Sequence, residues 1–501
     1  MNFKCVANLG FCKQLPKLLS EISFPTKNHE VKLLPGTEVD SEIFIRTSLT
    51  LNGFGMDSKI TRIKSMNIVN TEVKFTDVNF SGNIIVSTGS KFYATNCNFN
   101  CASEKQDAII EISPNAVCEF TNCNFYGGNQ SSITSNGPNS ITFNNCSFVK
   151  APVTSLVLSN ETSVKFYNCQ FQDATKYSVL VTKKSNASFN SCTFDQIPGK
   201  AIAACTESML LLSDSKFSEC QNGALCSCDQ TVVKITNSEF KDIPTNGITL
   251  SKGSNAYIES SSFDNCSRAL IVNRSYVDLN KTSFKNCIFL VLGKYCPQLI
   301  TNNQFLNSEI GVTDGCNPIF KNNQLENTCV RCCDFSKALF INTPITELVS
   351  TNCSQVFLYH SPRQQEKCIL GAEIIDTESE NFEIQRKNGV FKYSNGEYHI
   401  PEENLDYVPP NGYQDLPLIF IPCGHLCSDE CDKCPVCGIS GRTSKRFKTE
   451  KCIICMDAPS ELVFMPCGHQ CCCHECGMLA AEGKKCPICG VIACATKKIF
   501  M

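Results

Sequence analysis

The chemistry-bearing residues of this chain are cysteine and histidine, and they are unevenly spread. The sequence of 501 residues holds 37 cysteines and six histidines; fifteen of the cysteines and three of the histidines lie from Cys423 onward. In "KCIICMDAPSELVFMPCGHQCCCHECGMLAAEGKKCPICG" (451–490) they fall in pairs. Cys452/Cys455, Cys473/Cys476 and Cys486/Cys489 each enclose two residues, and Cys467/His469 encloses one. A Cys-x-x-Cys pair can curl around one ion, and zinc takes four such soft ligands in a tetrahedron. Eight ligands suffice for two zinc ions. In the run Cys471, Cys472, Cys473, only Cys473 leaves a two-residue gap to Cys476. Cys471 and Cys472 are therefore expected to be buried or surface thiols, and His474 to point to solvent.

The order Cys-Cys, Cys-His, Cys-Cys, Cys-Cys resembles the RING finger. In that family the pairs interleave. The resemblance implies that Cys452, Cys455, Cys473 and Cys476 hold the first zinc, and Cys467, His469, Cys486 and Cys489 the second. A domain too small for a large core then folds around its metal. "Pro-Cys-Gly-His-x-x-x-Cys-x-x-Cys" followed by "Cys-Pro-Ile-Cys" is similar to the RING of inhibitor-of-apoptosis proteins. In that group a short tail with a strand and an aromatic residue packs across a RING dimer and helps to hold ubiquitin. Here the tail is "GVIACATKKIFM", with Phe500 as the aromatic residue. The resemblance implies an E3 ubiquitin ligase with no covalent nucleophile, acting by positioning a charged ubiquitin-conjugating enzyme. Ile454 and Pro487 occupy the positions that grip this enzyme. Many active members carry Arg or Lys just after the last ligand, donating hydrogen bonds to ubiquitin and the conjugating enzyme; this chain has Gly490.

A shortened copy precedes it: "LIFIPCGHLCSDECDKCPVCG" (418–438). Cys423, His425, Cys434 and Cys437 reproduce the second site and are expected to hold a third zinc. The first Cys-x-x-Cys is missing, and Cys427 and Cys431 have the wrong spacing for the third pair. No independent ligase activity is expected from the copy.

The elements upstream form a repeat. "FTNCNF", "FNNCSF", "FYNCQF", "FNSCTF", "LSDSKF", "ITNSEF" and "IESSSF" end at Phe125, Phe148, Phe171, Phe194, Phe217, Phe240 and Phe263, each 23 residues after the last. Looser members end at Phe80, Phe99, Phe284 and Phe305. Each unit holds a second apolar alternation, such as "SLVLS" (155–159) or "GITLS" (247–251), so both segments read as strands. A period near 23 with short strands and polar turns is that of a β-solenoid. Equivalent residues of successive coils then touch, about 4.8 Å apart. Cys97, Cys123, Cys146, Cys169 and Cys192 should form a buried column. Asn96, Asn122, Asn145 and Asn168 should form an amide ladder at a turn. "VKLLPGTEVDSEIFIRTSLTLNGFG" (31–55) is similar to the opening coil of right-handed parallel β-helix proteins of the pectin-lyase-like group.

The expected organisation is an N-terminal helical cap (1–30) containing an amphipathic helix at 13–23, then a β-helix (31–325). A degenerate β segment and linker (326–415), the truncated zinc motif (416–440) and the C-terminal RING with tail (450–501) follow. "VFKYSNGEYHI" reads as a hairpin around Asn395-Gly396. "CVRCCDF" (329–335) contains an isolated Cys-x-x-Cys without a second pair. The fold class is mainly β.

Composition removes other readings. The net charge of −3 supplies no field for nucleic acid or anionic lipid, and no apolar run is long enough for a membrane span. Without an export signal the thiols are expected to stay reduced and the chain to be cytoplasmic or nuclear. β-Helix enzymes acting on carbohydrate need clustered carboxylates; Asp107, Glu111, Asp173 and Asp195 are scattered and read as solvated turns. The leading expectation is a ligase whose β-helix selects protein targets. A non-catalytic scaffold using the RING for dimerisation is the alternative, and a carbohydrate-active enzyme follows behind it.

Overall fold

The computed structural model describes residues 29–33, 35–100, 108–127, 130–292, 297–334, 336–352, 354–368 and 371–376. Shorter described stretches are 4–6, 390–393, 396–399, 418–421, 426–427, 442–445, 447–448, 451–452, 460, 462–465, 469–473 and 495–498. The chain forms two units. The first comprises Met1–Val291, Gln298–Ile310 and Asn322–Thr328; the second comprises Leu292–Pro297, Gly311–Lys321 and Cys329–Met501. Among the described residues no helix is long and apolar enough to cross a membrane.

The first unit is a parallel solenoid with three strands per coil. The coil Ser140–Asn144, Ser147–Val149, Thr154–Ser159 is typical. Each strand pairs in parallel with its counterpart one coil on: Phe143 with Phe166, Phe148 with Phe171, Leu156 with Val179. Alternation explains the inside. Ile141, Phe143, Phe148, Leu156 and Leu158 are buried, while Ser140, Thr142, Asn144, Val157 and Ser159 are partly or fully exposed.

The phenylalanine series is a ladder of stacked rings. Centroids lie 4.9 Å apart for Phe148/Phe171, 4.5 Å for Phe171/Phe194 and 4.6 Å for Phe194/Phe217, with rings within 6° of parallel. A second ladder, Phe120, Phe143, Phe166 and Phe189, meets the first edge-on.

The cysteine column is also present, and it outlasts its cysteines. Cys97, Cys123, Cys146, Cys169 and Cys192 are all buried. The thiols of Cys146, Cys169 and Cys192 donate to the carbonyls of Phe120, Phe143 and Phe166 one coil back, at 3.4, 3.6 and 3.7 Å. From Ser215 the same position carries hydroxyls. The Cys192 amide donates to Ser215 Oγ (3.2 Å), Ser215 to Ser238 (3.3 Å) and Ser238 to Ser261 (3.1 Å). A hydroxyl therefore fits this position. Cys192→Ser is expected to cost less than about 1 kcal/mol in urea unfolding. A cost several times larger would show that the column is held by sulfur packing instead.

The residue before each cysteine turns the chain. Asn96, Asn122, Asn145 and Asn168 have φ of +52° to +54°, the left-handed region that Asn tolerates better than most residues. Asn96 Nδ2 donates to Asp77 Oδ1 (3.1 Å), Asn122 Nδ2 to Asn96 Oδ1 (3.1 Å) and Asn145 Nδ2 to Asn122 Oδ1 (3.3 Å). The amide ladder thus begins one coil earlier than expected, at Asp77.

At the N-terminus, Lys4–Val6 and His29–Lys32 are strands in parallel pairing. The helix expected at 13–23 lies outside the described residues.

The second unit corrects the expectation that coils fade after 325. Ile319 pairs with Leu339, Lys337 with Gln355 and Gln355 with Glu373, all in parallel. Coils therefore continue to Asp376. They were hidden because their length drops from 23 residues to 20 and then 18, as these pairings show. The coils Lys337–Ile341, Ile345–Ser350 and Gln355–Tyr359, Arg363–Cys368 have lost the short middle strand and the phenylalanine it carried. Cys329 and Cys332 lie on one strand, Cys329–Cys332, three positions apart, so the pleat sends them to opposite faces; Cys332 is buried. Val390–Tyr393 and Gly396–His399 form the expected antiparallel hairpin, but Tyr393 pairs with Gly396, so Gly396 opens the second strand instead of standing in the turn.

Candidate metal centre

The apolar run Leu462–Met465 and His469–Cys472 form an antiparallel hairpin, and Ala495–Lys498 pairs antiparallel with the other edge of Leu462–Met465. Phe447–Lys448 runs parallel to His469–Gln470. Expected ligands are strung along this frame. Cys467 belongs to the segment joining the two hairpin strands, His469 opens the second strand opposite Phe464, and Cys473 follows its end. The tail strand expected before Phe500 is present as Ala495–Lys498 and pairs within its own chain.

Cys452, Cys471 and Cys472 are completely buried, and Cys473 is nearly so, at 9% exposure. The Cys471 and Cys472 sulfurs lie 3.8 Å apart. Cys472 shares a hydrogen bond with Cys452; burial, reinforced by Cys452 and Cys473, pushes its thiol up to about 11. The two expected first-site ligands that are described, Cys452 and Cys473, are thus both neighbours of Cys472. Spacing marked Cys472 as a bystander without revealing this proximity. A bulge between Leu462 and Val463 sets Cys472 opposite Leu462.

Buried thiols at this density suit a zinc ion, which keeps them as thiolates and gives a small domain its core. The solenoid cysteines differ. Burial pushes the Cys118 thiol well up, and it sits in a continuous apolar interior.

Cys455, Cys467, Cys476, Cys486 and Cys489 lie outside the described residues, as do Ile454, Pro487, Gly490, Phe500 and the shortened copy's Cys423, His425, Cys434 and Cys437. Among the described residues no group of three or more donors is complete enough for a metal.

The scattered solenoid carboxylates have structural partners or turn roles. Glu111 Oε1 accepts from Asn83 (2.9 Å), Asp195 Oδ1 accepts from Ser218 (2.5 Å), and Asp173 sits in a left-handed turn at φ +59°. Asp107 lies outside the described residues. Sequence reading missed Asp278, whose carboxyl is raised by burial and by the nearby Glu259.

Comparison with known proteins agrees with this division of the chain. The family model described as zinc finger, C3HC4 type (RING finger), matches residues 448–493. The model described as right handed beta helix region matches residues 65–222 and 212–357, together more than half of the chain. No curated protein sequence is significantly similar to this chain. Similar solved structures include the periplasmic alginate epimerase AlgG, at 11% identity, covering 75% of this chain and 84% of that one, with a TM-score of 0.36. A mannuronic acid specific polysaccharide family 6 lyase from human gut microbiota is 9% identical over 61% of this chain and 86% of that one, with a TM-score of 0.31. A tailspike protein of E. coli bacteriophage HK620 in complex with a pentasaccharide is 11% identical over 74% and 76%, with a TM-score of 0.35. The chain belongs to the right-handed beta helix family and carries a C3HC4-type RING finger toward its C-terminus.

Proposed function

We propose that this chain is a RING-type E3 ubiquitin transferase of the cytoplasm. Its RING, similar to that of inhibitor-of-apoptosis proteins, recruits a ubiquitin-conjugating enzyme charged with ubiquitin, and its β-helix holds the protein substrate. The observation that carries this reading is the RING match at 448–493, within which Cys452, Cys471, Cys472 and Cys473 are buried. Two zinc ions would be held by Cys452, Cys455, Cys473 and Cys476, and by Cys467, His469, Cys486 and Cys489. Zinc shapes the two loops; no step passes through it. Ile454 and Pro487 provide the apolar grip, and transfer follows from holding the thioester in a reactive pose. Phe500, beyond the strand Ala495–Lys498, serves a homodimer.

The test uses the full chain with ubiquitin, activating enzyme, ATP and a panel of conjugating enzymes. Ubiquitin chains are expected, and Ile454→Ala should reduce them at least about tenfold, as loss of a central apolar anchor does, while zinc content is unchanged. One feature favours a second reading: Gly490 lacks the hydrogen-bond donors of Arg or Lys. If zinc-loaded protein forms no chains with any conjugating enzyme, the RING is a dimerisation module of a scaffold.

A further inference from the structure

Four strands of the first unit are apolar on both faces. Met209–Ser213, Val232–Thr236, Asn255–Glu259 and Tyr276–Asn280 pair in parallel, and Leu210, Val233, Ala256 and Val277 fill the interior beneath them. On the preceding strand the outward positions are polar: Asn186, Ser188 and Asn190. One coil on, Met209 and Leu211 stand beside Asn186 and Ser188, and Tyr257 follows two coils later. Met209, Leu211 and Tyr257 are 36%, 39% and 43% exposed. Register joins them. Leu211, Lys234, Tyr257 and Asp278 form one row across the four strands, and Met209 stands beside Val232 in the next row. The outward side chains add nothing to the core, and a contiguous apolar patch on a surface marks a place of contact.

Charge on the patch is unevenly compensated. Lys234 Nζ lies over the Tyr257 ring, 6.0 Å from its centre. Lys281 pairs with Glu259 at 3.7 Å, and Asn280 Nδ2 also donates to Glu259 (3.3 Å). Asp278, at the end of the row, is partly buried, and among the described residues it has neither ion pair nor hydrogen bond. Burial and the nearby Glu259 both raise its carboxyl. A cation brought from outside would offset both.

Size and chemistry select the occupant. The strip measures about 19 Å along the solenoid axis and about 16 Å across, roughly 300 Å². A stable dimer takes about 800 Å² from each partner, so the strip is too small to hold two copies together. A sugar needs an open aromatic face and many hydrogen bonds. Here Lys234 covers Tyr257, Tyr276 meets it at 63°, and Met209, Leu211 and Val232 have no hydrogen-bonding groups in their side chains beyond a weak thioether. A short protein segment fits both the area and the chemistry.

We infer that this strip is where the β-helix takes its protein substrate, through a short segment that lays an apolar side chain over Met209 and Leu211 and sets a Lys or Arg on Asp278. Leu211 and Asp278 are three strand spacings apart, about 14 Å, which about four extended residues span. The segment therefore carries its cation about four residues from its apolar anchor. That the segment belongs to a substrate rests on the ligase reading; that it binds here does not.

The test selects random peptides of about twelve residues on the zinc-loaded full chain and titrates the selected peptides by fluorescence anisotropy. They should carry Lys or Arg about four residues from an apolar residue. Tyr257→Ala should weaken them at least about tenfold, as loss of a central aromatic anchor does. Asp278→Lys should reverse their charge preference, so that a peptide with Glu in place of its cation binds better than the parent. Circular dichroism melting verifies that both variants fold. A selection without binders, or peptides that bind both variants as tightly as wild type, would overturn the assignment. So would alginate oligosaccharides bound through Tyr257, or a dimer that Tyr257→Ala dissolves. Ubiquitin-chain formation by the same wild-type preparation is read in parallel. Chains without a peptide would overturn the docking site alone; a peptide without chains would keep the site and overturn the ligase reading.

Discussion

Phe171→Ala is expected to destabilise the first unit by about 3–5 kcal/mol, the range for a fully buried aromatic replaced by alanine. Phe171 is almost wholly inaccessible. Its ring stacks on Phe148 and Phe194 at 4.9 and 4.5 Å and meets the edges of Phe166 and Phe189 at 5.6 and 6.2 Å. Truncation leaves a void with aromatic walls on four sides, and those walls are fixed to the coil spacing by strand pairing. They have little freedom to collapse, which places the cost at the upper end. A solenoid is stabilised by nearest-neighbour contacts, so the defect should also split the unit into two shorter cooperative blocks. Urea unfolding followed by circular dichroism measures both effects, since the chain has no Trp. A loss under about 1 kcal/mol with one sharp transition would contradict the stacking account.

Cys452→Ala is expected to remove one zinc ion, cut ubiquitin transfer at least about a hundredfold, and leave solenoid melting unchanged. Changes outside the ligand sphere already cost ~10–100-fold in metal affinity or activity, and Cys452 is a proposed ligand, buried beside Cys472 and the next expected ligand Cys473. The comparator is Cys472→Ser, which should retain both RING ions. Zinc content, transfer rate and thermal melting distinguish the outcomes. If Cys452→Ala keeps its zinc and Cys472→Ser loses it, the expected ligand set is wrong, and the bulge at Leu462 has moved a different sulfur onto the metal.

What the sequence revealed followed from strict periods. Seven phenylalanines at one interval could only be a stack, and a Cys-Phe spacing of two could only put both side chains on one face. The hairpin was legible from the Asn395-Gly396 signal, although Gly396 opens the second strand opposite Tyr393 instead of standing in the turn. Coils after 325 were not legible, because losing the middle strand changed the period and removed the phenylalanine that marked it. The cysteine column seemed to end at Cys192 because Ser215 and Ser238 do the same work with different atoms. Hydrogen-bonding role, not residue type, is what repeats. At the metal centre, counting gaps selected Cys473 as the expected ligand but gave no view of Cys472 beside Cys452. A bulge changes which side chain faces inward, and nothing in the spacing announces one.

The left-handed residue that opens each turn has a consequence for how this protein changes in length. From Asp77 through Asn96, Asn122 and Asn145 to Asn322, Asn342 and His360, φ at this corner stays between 45° and 57°. The interval from one such residue to the next varies from 26, between Asn96 and Asn122, to 18, between Asn342 and His360. Contour length is thus uncoupled from pitch. Residues gained or lost at other corners leave each step along the axis at the spacing of paired strands, about 4.8 Å. An in-frame duplication of one coil therefore lengthens the surface by one increment without disturbing its neighbours. A deletion within a coil redraws that coil's outline without moving the next one along the axis.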